Sequence, residues 1–387
     1  MTTDADKGLA GLLQQQIEAS GGLSFAAFME QCLYHPEYGY YMTDRQRIGK
    51  AGDFFTSSSV HALFGGLIAR QLVQMDELLG GETFQVVEQG AGEGHLALDI
   101  LDTLAASAPQ FYQRLSYTLV ERGPESRQRQ AATLEKHAAR VSWCDEQEWT
   151  LEQGCFLSNE LIDAFPVHVL EKHDGQLREV IVVNQPDGSF AEELRDLSTP
   201  ALADYFEWLG AAPLEGNRAE ANLGAPCWMR EVGERIQKGF VLTIDYGYPS
   251  AELYAPYRRT GTLMCYHRHQ ADDNPYDKVG EKDLTAHVDF SALQKAGEEA
   301  GLKTLWFGEQ YRFLMSLGFV EELMALEAKT SDEQEARVLR LTLKNLIIPE
   351  EGMGETFKVL VQGKNVGEPA LLCARPLQDL PFPTGGF

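Results

Sequence analysis

A glycine-rich segment directly after an apolar run constrains this chain more than any other feature. Residues 84–95 read Phe-Gln-Val-Val-Glu-Gln-Gly-Ala-Gly-Glu-Gly-His, which places Gly90, Gly92 and Gly94 at alternate positions. The apolar run favours a β-strand and Leu96 to Leu101 favour a helix, so the glycines are expected to form the tight turn between them. In such a turn a ligand can approach bare backbone beside the N-terminus of a helix.

The glycine spacing favours S-adenosylmethionine (SAM) over a nicotinamide dinucleotide. The dinucleotide fingerprint G-x-G-x-x-G needs glycine at its sixth position, where this chain has His95, while Gly94 stands one residue earlier. We therefore assign the three glycines to a SAM site, together with Glu88, the carboxylate near the end of the strand. The alternative is a purely structural turn, because glycine also closes ordinary connections between strands and helices.

Two further predicted strands are followed by carboxylates where a doubly wound sheet holds a nucleotide. Leu115 to Val120 is followed by Glu121, where such a sheet places the acid that accepts both ribose hydroxyls. The segment Val141 to Asp145 ends near the expected adenine, where Trp143 offers a flat apolar face and Asp145 an acceptor for the exocyclic amine. The alternatives are a solvated carboxylate at Glu121 and a core tryptophan beside a loop aspartate.

Apolar strands alternate with helices from residue 84 onwards, which predicts a doubly wound α/β core. We expect a Rossmann-like class I SAM-dependent methyltransferase sheet with a helical N-terminal region and an inserted lid. A hairpin from Val167 to Val183 and a helical stretch around 200–238 are too long for a normal crossover, which indicates the insertion. The predicted segments are an N-terminal helical region with a loop (1–82), the first part of the SAM-binding core (83–184), the insertion or lid (185–238) and the second part of the core with the C-terminal strands (239–387).

The composition limits the partners and the compartment. The net charge is −25, from 33 basic and 58 acidic residues, so the surface repels phosphate backbones and anionic lipid. The six cysteines show no C-x-x-C pair and are expected to be reduced. Together with an acidic N-terminus and the lack of a run as long as a membrane span, this predicts a cytoplasmic protein that binds no nucleic acid.

Polar residues directly follow the fourth predicted strand, Cys155 to Ser158. They are Asn159, Glu160 and Asp163, and the carboxyl end of such a strand is where a doubly wound sheet binds ligands. A guanidinium acceptor would explain carboxylates beside the donor methyl, since two oxygens hold its planar fork and leave one nitrogen free to attack. The alternative for Asn159 and Asp163 is capping of a short helix.

Several segments in one order resemble the MidA family of methyltransferases, whose mitochondrial members are arginine methyltransferases needed for assembly of respiratory complex I. The resemblance runs from about Tyr34 to Gln362 and includes Tyr34–Tyr41, Gly52–Phe54 with Thr56 and Ser57, Leu63–Gly65, the glycine turn, Asn159–Pro166, Asp245–Gly247, Gly261–Leu263 with Tyr266 and His269, Thr285–Phe290 and Phe357–Leu360. By this resemblance, Gly52 and Asp53 are expected to belong to the cofactor site.

Two departures from the family pattern bear on function. Ala91 and His95 stand where the family usually has proline and threonine, a change that preserves the glycines and should spare SAM binding. Ser58 and Ser59 stand where it usually has Pro-Glu. The second change removes an acidic side chain near the expected site and therefore bears on the choice of substrate and on activity.

Together these features predict a SAM-dependent methyltransferase that displaces the sulfonium methyl in line with an arginine nitrogen of a protein substrate. A respiratory-complex subunit is one candidate substrate, and a homodimer is one candidate assembly. The alternatives are a SAM-binding assembly factor with little turnover, a small-molecule methyltransferase and a nicotinamide oxidoreductase. No metal is expected, because the pairs His287 with Asp289 and His267 with His269 lack a third ligand at sensible spacing.

Overall fold

The computed structural model describes residues 8–43, 61–267, 270–329, 332–348 and 353–379. These residues form two compact units. The parallel unit comprises residues 61–161, 230–245 and 297–379 without 330–331 and 349–352, and the antiparallel unit comprises residues 8–43, 162–229 and 246–296 without 268–269. The predicted cofactor residues Gly52 and Asp53, like Ser58 and Ser59, lie outside the described residues.

The helices and strands follow the chain in a mixed order. The α-helices are α1 Leu9–Ser20, α2 Phe25–Tyr34, α3 Leu63–Leu79, α4 His95–Ser107, α5 Pro109–Arg114, α6 Pro124–Thr133, α7 Ala201–Leu209, α8 Gly224–Arg235, α9 Ser250–Leu253, α10 Phe290–Glu299, α11 Gln310–Ser316, α12 Phe319–Lys329, α13 Glu333–Lys344 and α14 Met353–Thr356. The strands are β1 Leu23–Ser24, β2 Phe84–Gln89, β3 Leu115–Val120, β4 Val141–Cys144, β5 Leu151–Asn159, β6 His168–His173, β7 Gln176–Asn184, β8 Phe190–Arg195, β9 Arg218–Ala221, β10 Ile236–Tyr248, β11 Met264–His267, β12 Gln270–Asp272, β13 Asp283–Thr285, β14 Val288–Asp289, β15 Lys303–Glu309 and β16 Phe357–Lys364. Among the helices that the structure describes, none combines the length and the apolar character needed to cross a membrane.

The largest sheet has seven strands in the order β15-β16-β10-β5-β2-β3-β4, and an eighth strand, β14, pairs with the end of β10. Numbered along the chain, the seven strands have the spatial order 3-2-1-4-5-7-6. Strands β4, β3, β2, β5 and β10 pair in parallel, and β15 and β16 pair antiparallel. The predicted class I methyltransferase fold is confirmed. The strand order reverses between β2 and β5, where open α/β sheets bind their ligands.

Apolar periodicity explains why this sheet forms beside its helices. In β2, Phe84, Val86 and Val87 are buried, and the apolar stripe of α4 recurs at helical spacing. The buried residues of that stripe are Leu96, Ala97, Ile100, Leu101 and Leu104.

The antiparallel unit contains a five-stranded sheet in which β1, β7, β6 and β9 follow one another and β8 pairs with β7. The predicted hairpin is confirmed as β6 and β7. The helical stretch predicted around 200–238 is wrong in its middle, because β9 interrupts it and pairs with β6. Ala219 and Ala221 are buried in the core there, and the Glu220 carboxylate accepts hydrogen bonds from Thr262 N and Oγ1. Tertiary packing thus overrides the local helix propensity of this segment.

Candidate active site

The glycine turn has the predicted strand-turn-helix geometry. Gly90, Gly92 and Gly94 have φ values of 81°, 54° and 83°, a left-handed region that side chains disfavour. Gly94 is the N-cap of α4 and supplies no side-chain acceptor to it. The first-turn N–H groups of α4 therefore suit an anionic ligand group such as a carboxylate.

Glu88 lies on β2, directly before this turn in the chain, and its carboxyl group is buried. Its Oε2 accepts a hydrogen bond of 2.7 Å from the hydroxyl of Tyr117. Burial raises the pKa of Glu88 to about 7, and the hydrogen bond from Tyr117 opposes that rise. Burial therefore disfavours the ionised form of this carboxyl group, and its assignment to the cofactor site stays a prediction.

Glu121, the acid after β3, accepts two hydrogen bonds within the protein and can accept more from a ligand. Glu121 is half-buried, its Oε1 accepts from Gly123 N at 2.8 Å, and its Oε2 accepts from Gln130 Nε2 at 3.3 Å. An ionised carboxylate has about four acceptor positions, so these two bonds leave capacity for two hydroxyl groups. This geometry fits the predicted contact with a ribose.

The residues predicted to contact adenine lie at the end of β4, where Trp143 belongs to the strand and Asp145 directly follows it. Trp143 is partly exposed and donates from Nε1 to Gln130 Oε1 at 2.9 Å. The side chain of Asp145 is exposed and forms an ion pair with Arg127, whose Nε donates to the Glu121 carbonyl O at 2.7 Å. Arg127 thus connects the loop after β3 to the loop after β4. The contact of Asp145 with adenine stays a prediction.

The end of β5 carries an unusual backbone conformation. Glu160 has φ 51°, which is uncommon for a residue other than glycine and costs of order 1–3 kcal/mol. Its N–H donates to Ile244 O at 2.9 Å, and the next N–H, of Leu161, donates to Asp245 Oδ2 at 3.2 Å. The neighbouring strand β10 therefore holds this turn in place. No helix follows β5 in residues 160–167, so the capping interpretation of Asn159 and Asp163 is wrong.

The two catalytic candidates at this turn contact each other. Asn159 Nδ2 donates to Glu160 Oε1 at 3.0 Å, and Asn159 Oδ1 is buried with no hydrogen-bond partner among the described residues. A buried acceptor of this kind suits an N–H donor on a bound substrate. A Cβ at Gly90 would approach Leu161 Cδ1 to 3.0 Å, so the glycine turn and the turn at Glu160 are in close contact.

Asp163 belongs to the antiparallel unit, where it is buried and its carbonyl accepts from Ala286 N at 2.9 Å. Tyr41 donates from its hydroxyl to Asp283 Oδ1 at 2.8 Å. Burial and then the charges of Asp283 and Asp163 raise the pKa of Tyr41 well above its ordinary value. Burial is also the largest cause of a raised pKa at Tyr266, and the same two carboxylates raise that pKa further. Asp163 is therefore part of an acidic group lined by tyrosines.

The fold and this edge of the sheet define a class I methyltransferase. A turn of three left-handed glycines and an anchored carboxylate after the neighbouring strand β3 fit SAM. Sequence comparison supports this class: the model of a family described as "Putative S-adenosyl-L-methionine-dependent methyltransferase" matches residues 67–308. The chain belongs to this family, which is the MidA family that its motifs resemble.

Individual relatives extend along most of the chain. The "Protein arginine methyltransferase NDUFAF7 homolog, mitochondrial" of Drosophila melanogaster is 30% identical, over 91% of this chain and 84% of its own. The protein arginine methyltransferase NDUFAF7 of Bos taurus is 29% identical, over 96% of this chain and 88% of its own. A crystal structure from Burkholderia thailandensis, described as "bound to S-adenosyl-homocysteine", is 34% identical with a TM-score of 0.84, over 95% of this chain and 94% of its own. SAM is therefore the cofactor, as predicted.

One site residue was missed by the sequence analysis. Gln130 is fully buried on the otherwise polar helix α6, and it contacts Gly92, Glu121 and Trp143. The surrounding sequence, Pro-Glu-Ser-Arg-Gln-Arg-Gln-Ala-Ala-Thr, predicts a solvated helix and gives no sign that one glutamine points into the core.

Proposed function

We propose that the protein methylates a guanidinium nitrogen of an arginine in a protein substrate. The observation that carries the proposal is Glu160, a carboxylate in a strained left-handed conformation where the strand order reverses, directly before Leu161, which lies against the glycine turn. Strain of this kind persists where the surrounding structure enforces it, often at active sites. The names of the Drosophila and bovine relatives also support arginine as the acceptor.

The chain's own residues account for binding and orientation of this acceptor. When bound, SAM supplies an electrophilic methyl group on its sulfonium. Glu160 would hold two N–H groups of the guanidinium and orient the remaining nitrogen, and Asn159 Oδ1 would accept a further N–H. Glu160 would take the proton that the guanidinium releases on methylation, while the electron pair of the C–S bond would stay on sulfur. Asp163 is the second candidate acid for contacting the guanidinium.

The test is Glu160→Gln, which keeps the shape and one acceptor oxygen but removes the charge. Affinity for S-adenosylhomocysteine (SAH) should stay nearly constant, whereas methyl transfer should fall by orders of magnitude, because the charge acts on the acceptor. Mass spectrometry of arginine peptides, from cells with and without the gene, identifies a substrate for the assay. Glu152→Gln, an exposed acid on β5, is the matched control. Near-normal transfer by Glu160→Gln would exclude this role, and equal methylation of a lysine peptide would exclude arginine specificity.

A second candidate function is a SAM-binding assembly factor with little turnover, favoured by Ser58 and Ser59 in place of the acidic family motif. Radiolabelled methyl transfer into a cell extract separates the two. We further propose a protein partner, for which a respiratory-complex subunit is one candidate, a homodimer as the assembly and the cytoplasm as the compartment. Size-exclusion chromatography with light scattering tests the homodimer.

A further inference from the structure

A buried glutamine connects three segments of the cofactor site. Gln130 on α6 is fully buried in the parallel unit. Its Nε2 donates to the carbonyl O of Gly92 at 2.9 Å and to Glu121 Oε2 at 3.3 Å, and its Oε1 accepts from Trp143 Nε1 at 2.9 Å. One amide thus links the glycine turn after β2, the carboxylate after β3 and the indole of β4.

The chemistry of these partners fixes which way the amide points. A carbonyl and a carboxylate only accept hydrogen bonds and an indole N–H only donates, so a flipped amide would lose all three bonds. Both N–H groups and the oxygen of Gln130 are therefore used. Gln130 itself is fully buried, so water cannot replace the hydrogen bonds that its amide group would lose.

We propose that Gln130 is the positioning residue of the SAM site: it fixes the glycine turn and the ribose-binding carboxylate relative to each other before the cofactor binds. Gln130 acts through Gly92 and Glu121. A site that is already ordered loses less conformational entropy on binding, which increases affinity. This role rests on the SAM site and not on the identity of the methyl acceptor.

Two variants of Gln130 test the role by calorimetry with SAH. Gln130→Met keeps the length but removes all three bonds, and we expect SAH affinity to fall at least about tenfold. Gln130→Glu keeps an acceptor for Trp143, removes both donors and adds a charge beside Glu121. It should also bind SAH weakly at about pH 8 and recover part of the affinity at about pH 5.5, because a protonated carboxyl group donates one hydrogen bond.

Gln71→Met is the matched control. Gln71 is a fully buried glutamine of the parallel unit that forms hydrogen bonds with Gln74 and the Cys373 N–H, both outside the cofactor site. Gln71→Met should lower the melting temperature and leave SAH affinity unchanged. The indole N–H resonance of Trp143, assigned with Trp143→Phe, should shift in Gln130→Met and change less in Gln130→Glu, because only Met removes its acceptor.

A folded Gln130→Met that binds SAH within about twofold of the unmodified protein would overturn the proposal. So would a Gln130→Glu whose affinity for SAH, relative to the unmodified protein, does not depend on pH. Neither result depends on methyl transfer. Failure of the arginine assay with normal SAH binding would therefore count against the acceptor and leave Gln130 unaffected.

Discussion

Glu160 has a left-handed backbone conformation that residues other than glycine disfavour. A side chain at φ 51° meets steric strain that glycine would avoid, and an exposed turn could have used glycine there. Replacing the glutamate by glycine and by alanine removes the same hydrogen bond from Asn159, so the difference between the two variants reports the backbone strain. We expect Glu160→Gly to be more stable than Glu160→Ala by about 1 kcal/mol in urea unfolding, while both lose methyl transfer.

The control for this comparison lies on the same strand. Glu152 is exposed on β5 in an ordinary strand conformation, so Glu152→Gly should be less stable than Glu152→Ala, the reverse order. If alanine is the more stable replacement at both positions, Glu160 stores no strain and the argument from its φ angle fails.

Glu88 should make stability depend on pH in a defined direction. Its pKa is raised from 4.5 to about 7, so the folded state disfavours the ionised carboxylate. This cost is absent below about pH 4.5, grows as the pH rises through 7 and is complete above it. Glu88→Gln, which cannot ionise, should therefore be more stable than the unmodified protein by up to about 3 kcal/mol at pH 8 and should lose that advantage at pH 4.5.

Denaturant unfolding of the cofactor-free protein at both pH values measures the effect. Subtracting the unmodified protein at each pH cancels the titration of the other acidic groups. A difference between variant and unmodified protein that is equal at both pH values would mean that Glu88 ionises normally in the folded chain.

At the scale of elements, the close approach of two turns links cofactor and acceptor. A Cβ at Gly90 would lie 3.0 Å from Leu161 Cδ1, and Leu161 directly follows Glu160. Gly90→Ala should therefore weaken SAH binding through its left-handed backbone and also lower kcat by displacing Glu160. The double variant Gly90→Ala with Leu161→Ala should recover part of the kcat, because the leucine side chain is gone, and little of the SAH affinity.

A double-mutant cycle on kcat and on SAH affinity separates these terms. Additive effects on kcat would show that the two turns do not communicate through the leucine. Full recovery of SAH affinity in the double variant would show that the clash, and not the left-handed backbone, weakens cofactor binding in Gly90→Ala.

Elements that carry a periodic or turn signal could be predicted from the sequence. The strand Leu115–Val120 has the predicted bounds, and β6 and β7 form the hairpin predicted from Val167 to Val183. The strand β9 could not be predicted, because Arg-Ala-Glu-Ala has helix propensity and becomes a strand only through pairing with β6. Gln130 could not be predicted either, since its partners come from three distant segments.

At the scale of the whole molecule, the two units are each assembled from segments far apart in sequence. The antiparallel unit combines residues 8–43 with 162–229 and 246–296, and no local pattern records such a grouping. The candidate site could be predicted where a single strand end defines it, as at Glu121 and Glu160. The acidic group of Asp163 and Asp283 could not, because 120 positions separate its members along the chain.

Ligand-induced stabilisation tests the cofactor site in the intact protein. A ligand that binds only the folded state adds about 2.7 kcal/mol at one hundred times its Kd, so SAH should raise the melting temperature and NADH should not. Glu121→Ala should remove most of the shift at the same SAH concentration, because a charged hydrogen bond to a ribose is worth roughly 1.5 to 3 kcal/mol, while the melting temperature of the cofactor-free protein changes little. Glu125→Ala, an exposed acid four residues further on, should keep the full shift. Stabilisation by NADH would contradict the SAM assignment, and a Kd for SAH in Glu121→Ala within about threefold of normal would show that the carboxylate after β3 does not hold the ribose.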